Sequence, residues 1–415
     1  MKEEILRHLQ DASVLENLYG KDKSGFRKAF LQISKEMPAG SAKDFWLARL
    51  EKKQESIVWG SRQDWLLVFL AGLIGGLILK LPQMFSLDEN NFYPRNLAFA
   101  FLPFPAIFFA LKSKLPIQNA LIATGLFLGS ALYINFLPGE AGVTDSFILA
   151  CLHLPLFLWV VLSGIHSGPD FSALPPRLEF IRFNAEWLVM TGLMVLAGGL
   201  FSGISLGLFQ AIGFQIEQIF LKYILVFALP AIPVAAALFV KENPSLLRQV
   251  APLIARVFSP LAFLVLMIYL PAIFISGKNP FTDREFLLLF NLLLLAVLAL
   301  IFFSIPEINK DKAGKQSVLL LLGLSLLTIL INGIAVSAIF YRLFSFGITA
   351  NRAAVLGSNL LILFNLLMVT MALFRAWKNP EKSGEAGDSI AGFLPYYGLW
   401  AGIVCFLFPL FFGFR

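Results

Sequence analysis

The chain is broken into long apolar runs, with its charges gathered between them. From Trp65 onward these runs fall near 65–85, 96–111, 117–137, 146–165, 187–208, 219–240, 258–276, 286–305, 317–341, 353–375 and 392–412. Most match the roughly 17–25 residues with which an α-helix crosses the hydrocarbon of a bilayer. Composition agrees: of 415 residues 58% are hydrophobic and 14% charged, against about 25% charged in soluble domains. The mean hydropathy is +0.77. The expected fold is all-α, a polytopic transmembrane helical bundle of about eleven spans over 63–415. A small N-terminal cytoplasmic helical head over 1–62 precedes it. The second run is short and holds Pro103 and Pro105, so one span more or fewer fits the pattern.

In the head, Phe26, Phe30 and Ile33 recur at i, i+4 and i+7, and Trp46 and Leu50 lie one turn apart. Each set makes one apolar stripe on a helix. Ser13 with Glu16 and Ser41 with Asp44 have capping-box spacing, which marks helix starts, and Pro38-Ala-Gly40 separates two helices. A core this thin is expected to lean on a cytoplasmic protein partner or on the membrane domain. The head carries 12 basic and 9 acidic residues, interspersed. Phosphate contacts need a basic stripe, and there is none, so nucleic acid is not an expected partner.

The net charge of +7 follows from the positive-inside bias of membrane proteins. An inside head puts Lys112, Lys114, Arg177, Arg182, Lys241, Arg248, Arg256, Lys310, Lys312, Lys315, Arg375, Lys378 and Lys382 in cytoplasmic loops, and leaves about eight cations outside. The N-terminus is therefore expected inside and the C-terminus outside. Residues 1–7 lack the apolar core of a cleavable signal, so insertion is expected to begin with the first span.

Small-residue ridges are expected to pack the helices: Gly199, Gly203 and Gly207 on one span, Gly72 and Gly76 on another, Gly125 and Gly129 on a third. In lipid, close backbone approach replaces the hydrophobic drive between helices. Internal packing is the first reading of these ridges; a substrate path or dimer seam is the second. Pro155, Pro230, Pro233 and Pro271 lie inside spans, where each removes a backbone hydrogen bond. No acid or base lies at the centre of a span, a pattern that disfavours proton-coupled pumping. The deep polar groups are neutral: Thr124, Asn135, Asn291, Asn332, Asn359 and Asn365. They suit interhelical hydrogen bonds or a polar cavity.

The chain contains no His-Glu-x-x-His, phosphate-binding loop or Gly-x-Ser-x-Gly elbow. Cys151 and His153 face different sides of a helix, and the two cysteines suggest neither a disulfide framework nor a zinc site. A non-enzymatic protein without catalytic residues, metal or cofactor is expected.

One linker is unusual, Tyr341-Arg342-Leu-Phe-Ser-Phe-Gly347-Ile348-Thr349-Ala-Asn351-Arg352. Gly347 can stop one helix and Thr349 can N-cap the next. Arg352 then sits in a first helical turn, where the macrodipole disfavours a cation. Free N–H groups with Arg342, Thr349, Asn351 and Arg352 make a candidate anion or substrate cup, with Asn359 on the same helix face. Alternatively the arginines snorkel to lipid phosphates, or pair with Asp283 or Glu285.

The same segment, Tyr-Arg followed by Gly-Ile-Thr-x-Asn-Arg and a Leu-rich helix, resembles the bacterial multi-pass membrane proteins grouped as domain of unknown function 4153. The likeness covers about the last two-thirds of the chain. It implies a multi-pass protein of the bacterial cytoplasmic (inner) membrane, of unestablished activity. The chain departs from it at Ser276-Gly-Lys278-Asn-Pro280, where members carry a Leu-Pro-Lys-Gly-like loop, and in stopping at Arg415. Two functions remain open: a permease-like transporter of a small solute, an anion if the arginine cup serves it, and a membrane scaffold or signalling component whose head binds a cytoplasmic partner.

Overall fold

The computed structural model describes residues 2–8, 11–21, 23–34, 43–47, 58–139, 144–211, 215–244, 250–275, 294–295, 297–302, 304 and 315–414. It is 90% helical, with no strand among the described residues. Contacts divide the chain into Met1–Val58 and Trp59–Arg415, four residues before the expected boundary.

The first unit holds α1 (Lys2–Arg7), α2 (Ala12–Lys21), α3 (Lys23–Ile33) and a helical turn α4 over 43–47. The α3 stripe buries Phe26, Phe30 and Ile33 against Ile5, Leu15 and Trp46. Phe26 and Trp46 pack with ring centroids 4.9 Å apart. Helix α2 does not begin at a Ser13–Glu16 box. Asp11 is its cap, accepting from the backbone N–H of Ser13 and Val14 and from the Ser13 hydroxyl. The hydroxyl first, then the backbone donors, hold the Asp11 carboxyl below the usual carboxylate range. Pro38, Gly40, Ser41 and Leu50 lie outside the described residues.

The second unit contains α5 (Arg62–Phe85), α6 (Glu89–Phe101), α7 (Pro103–Lys112), α8 (Ile117–Phe136), α9 (Asp145–Ser167) and α10 (Leu174–Ala211). Helix α11 (Glu217–Glu242) contains a π-turn at Phe220–Leu225. After it come α12 (Val250–Ile275), α13 (Lys315–Phe346), α14 (Ala350–Lys378) and α15 (Gly384–Gly402). A second π-turn, Ile403–Leu407, leads from α15 into α16 (Phe408–Phe411). Among the described residues nine helical segments are long and apolar enough to cross a bilayer, α6–α7 counting as one. They fall on nine of the eleven expected runs. The run near 258–276 lies on α12, whose described apolar stretch Phe258–Ile268 is shorter than a span. The run near 286–305 lies largely outside the described residues.

The outer surface of this unit fits lipid and not water. Leu196, Leu200 and Phe201 on α10 are 71%, 69% and 73% exposed, and contiguous apolar surface of this kind marks a membrane contact. Inside, one cluster joins α12, α13, α14 and α15 through Leu266, Leu324, Ile331, Leu366, Val369 and Ile390. Another joins α5, α7, α9, α10 and α11 through Val68, Phe109, Leu162, Phe180 and Val234.

Local chemistry sets the ends of these helices. Ser61 and Asp64 form a full capping box at the start of α5, three residues before the expected run. Asp64 also meets Lys112 at 3.1 Å, and Lys112 meets Glu242 at 2.7 Å. One ammonium between two carboxylates thereby ties α5, α7 and α11 at a common end. At the other end Arg95 of α6 donates to the carbonyls of Ile134, Asn135, Leu137 and Gly139, the unpaired C-terminus of α8 and the residues beyond it. Asn96 and Asn135 exchange reciprocal amide bonds of 2.9 Å beside it.

Replacing Lys112 by Met leaves two facing carboxylates without their shared cation. The expected loss is about 1–3 kcal/mol, and Lys112→Arg should recover most of it. Thermal unfolding of the purified full chain in detergent measures both.

Candidate functional site

The Tyr341–Arg352 linker folds as its residues dictate. Gly347 takes φ +79° and ends α13, and the Thr349 hydroxyl accepts from the Arg352 backbone N–H at the start of α14. The Arg352 side chain turns back. Its Nη1 donates to the carbonyls of Phe346 at 2.8 Å and Gly347 at 2.7 Å, and its guanidinium lies 5.7 Å from the Phe346 ring. The cation at one helix N-terminus thus serves the negative C-terminus of the helix before it. The opposed macrodipole explains its position without a bound anion.

The other residues of the expected cup are spread. Asn351 is half-buried next to Arg352, and Arg342 is half-buried on α13. Asn359 lies two turns into α14, only 4% exposed, with its Nδ2 donating to the Val355 carbonyl. One residue before it, the Ser358 hydroxyl accepts from Trp400 Nε1 at 2.9 Å, and the Trp400 ring lies where a side chain on Gly357 would go. This face of α14 is a packed helix contact.

The glycine ridges divide in two. A Cβ on Gly72 would stand 2.7 Å from the Phe227 carbonyl oxygen, and one on Gly76 would strike the Phe227 ring, so this ridge seats α5 on α11. Among the described residues Gly199 and Gly203 have no packing partner: no described atom lies within 4 Å of a Cβ on either, nor on Gly125 or Gly129. The four-residue spacing creates a flat face but does not supply the opposing helix. The surroundings of Gly207 lie outside the described residues.

Sequence reasoning did not distinguish Asn332 and Asn365 from the other deep amides. Both are fully buried, and neither amide oxygen nor nitrogen has a hydrogen-bond partner among the described residues. The buried Tyr397 hydroxyl also lacks one. Helices α13, α14 and α15 are consecutive, and each packs on the next. Asn332 precedes Gly347 by 15 residues and Asn365 follows Thr349 by 16. At 1.5 Å per residue both lie about 23 Å from that linker. Asn365 precedes Asn379 by 14 residues and Tyr397 follows Ser383 by 14, which puts Tyr397 on the same level. Three neutral polar groups therefore lie at one level of three adjoining helices, with Tyr397 packed against the core cluster of Ile331, Ile362 and Leu366. The signal was present as equal spacing from the two turns, but only burial shows that the groups are unpartnered.

Nothing at this layer resembles a metal or nucleophilic centre, and among the described residues no group of three His, Cys, Asp or Glu could hold a metal. Cys151 and Cys405 are free and buried. His153 Nδ1 meets the Leu149 carbonyl at 2.9 Å, and His166 is ringed by Phe109, Phe180 and Phe183.

A buried amide without a partner costs roughly 1–3 kcal/mol. Asn332→Leu or Asn365→Leu should accordingly stabilise the protein in detergent by about that amount, where loss of an interhelical hydrogen bond would destabilise it. Thermal unfolding of each variant beside the wild type decides the sign.

The chain matches no protein-family model, no curated protein and no solved structure.

Proposed function

We propose that this chain is a permease-like membrane protein that passes a small, uncharged, hydrogen-bonding solute, with the layer of Asn332, Asn365 and Tyr397 as its polar station. The observation that carries this reading is the set of unpartnered amides at one depth. Buried polar groups are nearly always satisfied, and an exception calls for an occupant or a role. Transporters place their solute sites near the bilayer midplane, between helices with local breaks. Here α11 and the α15–α16 junction carry π-turns, and Pro230, Pro233 and Pro395 lie inside α11 and α15. The solute is neutral because the layer offers amide and hydroxyl groups only. An anion would be better served by Arg352, whose Nη1 is engaged by helix carbonyls.

A second reading, a membrane scaffold, is favoured by α10. None of its apolar window is buried within the chain, and the open Gly199–Gly203 face suits a partner helix. In this reading the head at 1–62 recruits a cytoplasmic protein. In both readings the protein lies in a bacterial inner membrane with its N-terminus inside and C-terminus outside. A phosphatase reporter fused after Arg415 should be active only outside the cytoplasm.

Transport is tested in sealed proteoliposomes by stopped-flow light scattering with water, urea and glycerol. Wild-type vesicles should equilibrate faster than protein-free ones for at least one of these, and Asn332→Leu and Asn365→Leu should remove the gain while remaining folded. Equal rates with and without protein for all three, or a gain that both variants keep, would overturn the proposal.

A further inference from the structure

Helix α8 is only loosely held by its described neighbours. Only 11% of its apolar window is buried, although Arg95 and the Asn96–Asn135 pair fix one end of it. Along its side, between α8, α9 and α15, runs an open groove of about 660 Å³. On its floor α9 and α15 pack closely: a Cβ on Gly398 would stand 2.6 Å from Val160. The trough lies between Ile122 on one wall and Val161 and Gly164 on another.

The two ends of the trough differ. At the far end the π-turn Ile403–Leu407 lines it. That turn frees the Phe406 carbonyl, which accepts from the Tyr133 hydroxyl of α8 at 2.9 Å. The near end is polar. Asn119, in the first turn of α8, lines the groove and makes no hydrogen bond among the described residues. Phe171 lines it too, and the Arg177 guanidinium stacks 4.7 Å from the Phe171 ring. Arg177 donates from Nε and Nη2 to the carbonyls of Phe171 and Ser172. Nη1 remains unengaged, and no carboxylate pairs with Arg177 among the described residues. Exposed Lys114, in a left-handed turn at φ 51°, adjoins the lining residue Leu115.

We infer that this groove holds one anionic phospholipid. An acyl chain lies in the trough, the ester region meets the Asn119 amide, and the phosphate meets Arg177 with Lys114 nearby. The match is of shape and charge together. The wall is apolar along a length where bilayer chains are the solvent, and the cations lie only at the interfacial end. A guanidinium suits phosphate because its donors form a planar fork, and its carbonyl bonds with the Phe171 stack hold that fork in place. The inference is independent of the transport reading, which concerns α13, α14 and α15.

The test uses the full chain in phosphatidylcholine vesicles doped with spin-labelled phosphatidylglycerol or, separately, spin-labelled phosphatidylcholine. The motionally restricted fraction of the electron paramagnetic resonance spectrum counts lipid held by the protein. Phosphatidylglycerol should be held over phosphatidylcholine by about fivefold, the factor for ~1 kcal/mol from one interfacial cation. Arg177→Gln should bring the ratio close to one while a restricted component persists, and Arg177→Lys should retain most of the selectivity. Ile122→Trp should fill the trough and remove the excess of phosphatidylglycerol from the restricted component. Leu121→Trp, on an exposed position of α8 outside the groove, should leave it. The inference is overturned by equal retention of both lipids in the wild type, or by selectivity that survives Arg177→Gln or Ile122→Trp. A groove closed by a second copy of the chain would show no selectivity, and that result would overturn it as well.

Discussion

In the hydrocarbon of a bilayer a helix carbonyl has no water to turn to, and the last four of every helix have no partner in their own helix. Much of this architecture follows from how those carbonyls are satisfied. Arg95 reaches from α6 to four carbonyls at and just beyond the end of α8. Arg352 reaches from α14 to two at the end of α13. In each case a cation is spent on backbone, and the geometry of a helix pair is set by it. The consequence for function is subtractive. Arg352, which looks available for a ligand in the sequence, is spent on a helix end, and the search for a site moves to other polar groups.

Two kinds of polar group remain after that subtraction, and they differ in exposure. Asn332, Asn365 and Tyr397 are enclosed, so an empty layer would be a standing cost to the fold. Asn119 lines an open groove, and Arg177 adjoins it through the Phe171 ring. The enclosed set therefore bears on conduction through the bundle, and the open set on what surrounds it. The glycines follow the same division. Gly72 and Gly76 bring α5 onto α11, while Gly199 and Gly203 present the same spacing to no neighbour among the described residues.

The helical class and nine of the spans were legible because hydrophobic length is a one-dimensional property. The helix stop at Gly347 and the cap at Thr349 were legible for a similar reason, since both depend on neighbours in sequence. The start of α2 was misassigned because Ser13 and Asp11 are both capping residues, and only geometry shows which oxygen faces the free N–H groups. Arg352 read as strained because the local rule counts only the helix it belongs to. Its true partner is the end of another helix. Lys112 read as one of the cytoplasmic loop cations, for nothing local brings it together with a carboxylate 130 positions away.

That last separation gives the ion cluster a history. Lys112 and Asp64 belong to the first helical pair of the membrane unit, so their contact is available once α7 is complete. Glu242 is made 130 residues later. At roughly 5–20 residues per second of synthesis, the interval is about 6–26 s. During that time the pair is electrically balanced and the α11 seat is empty. The carboxylate that arrives last finds its ammonium already fixed in place, so the early helices act as a template for docking the later one.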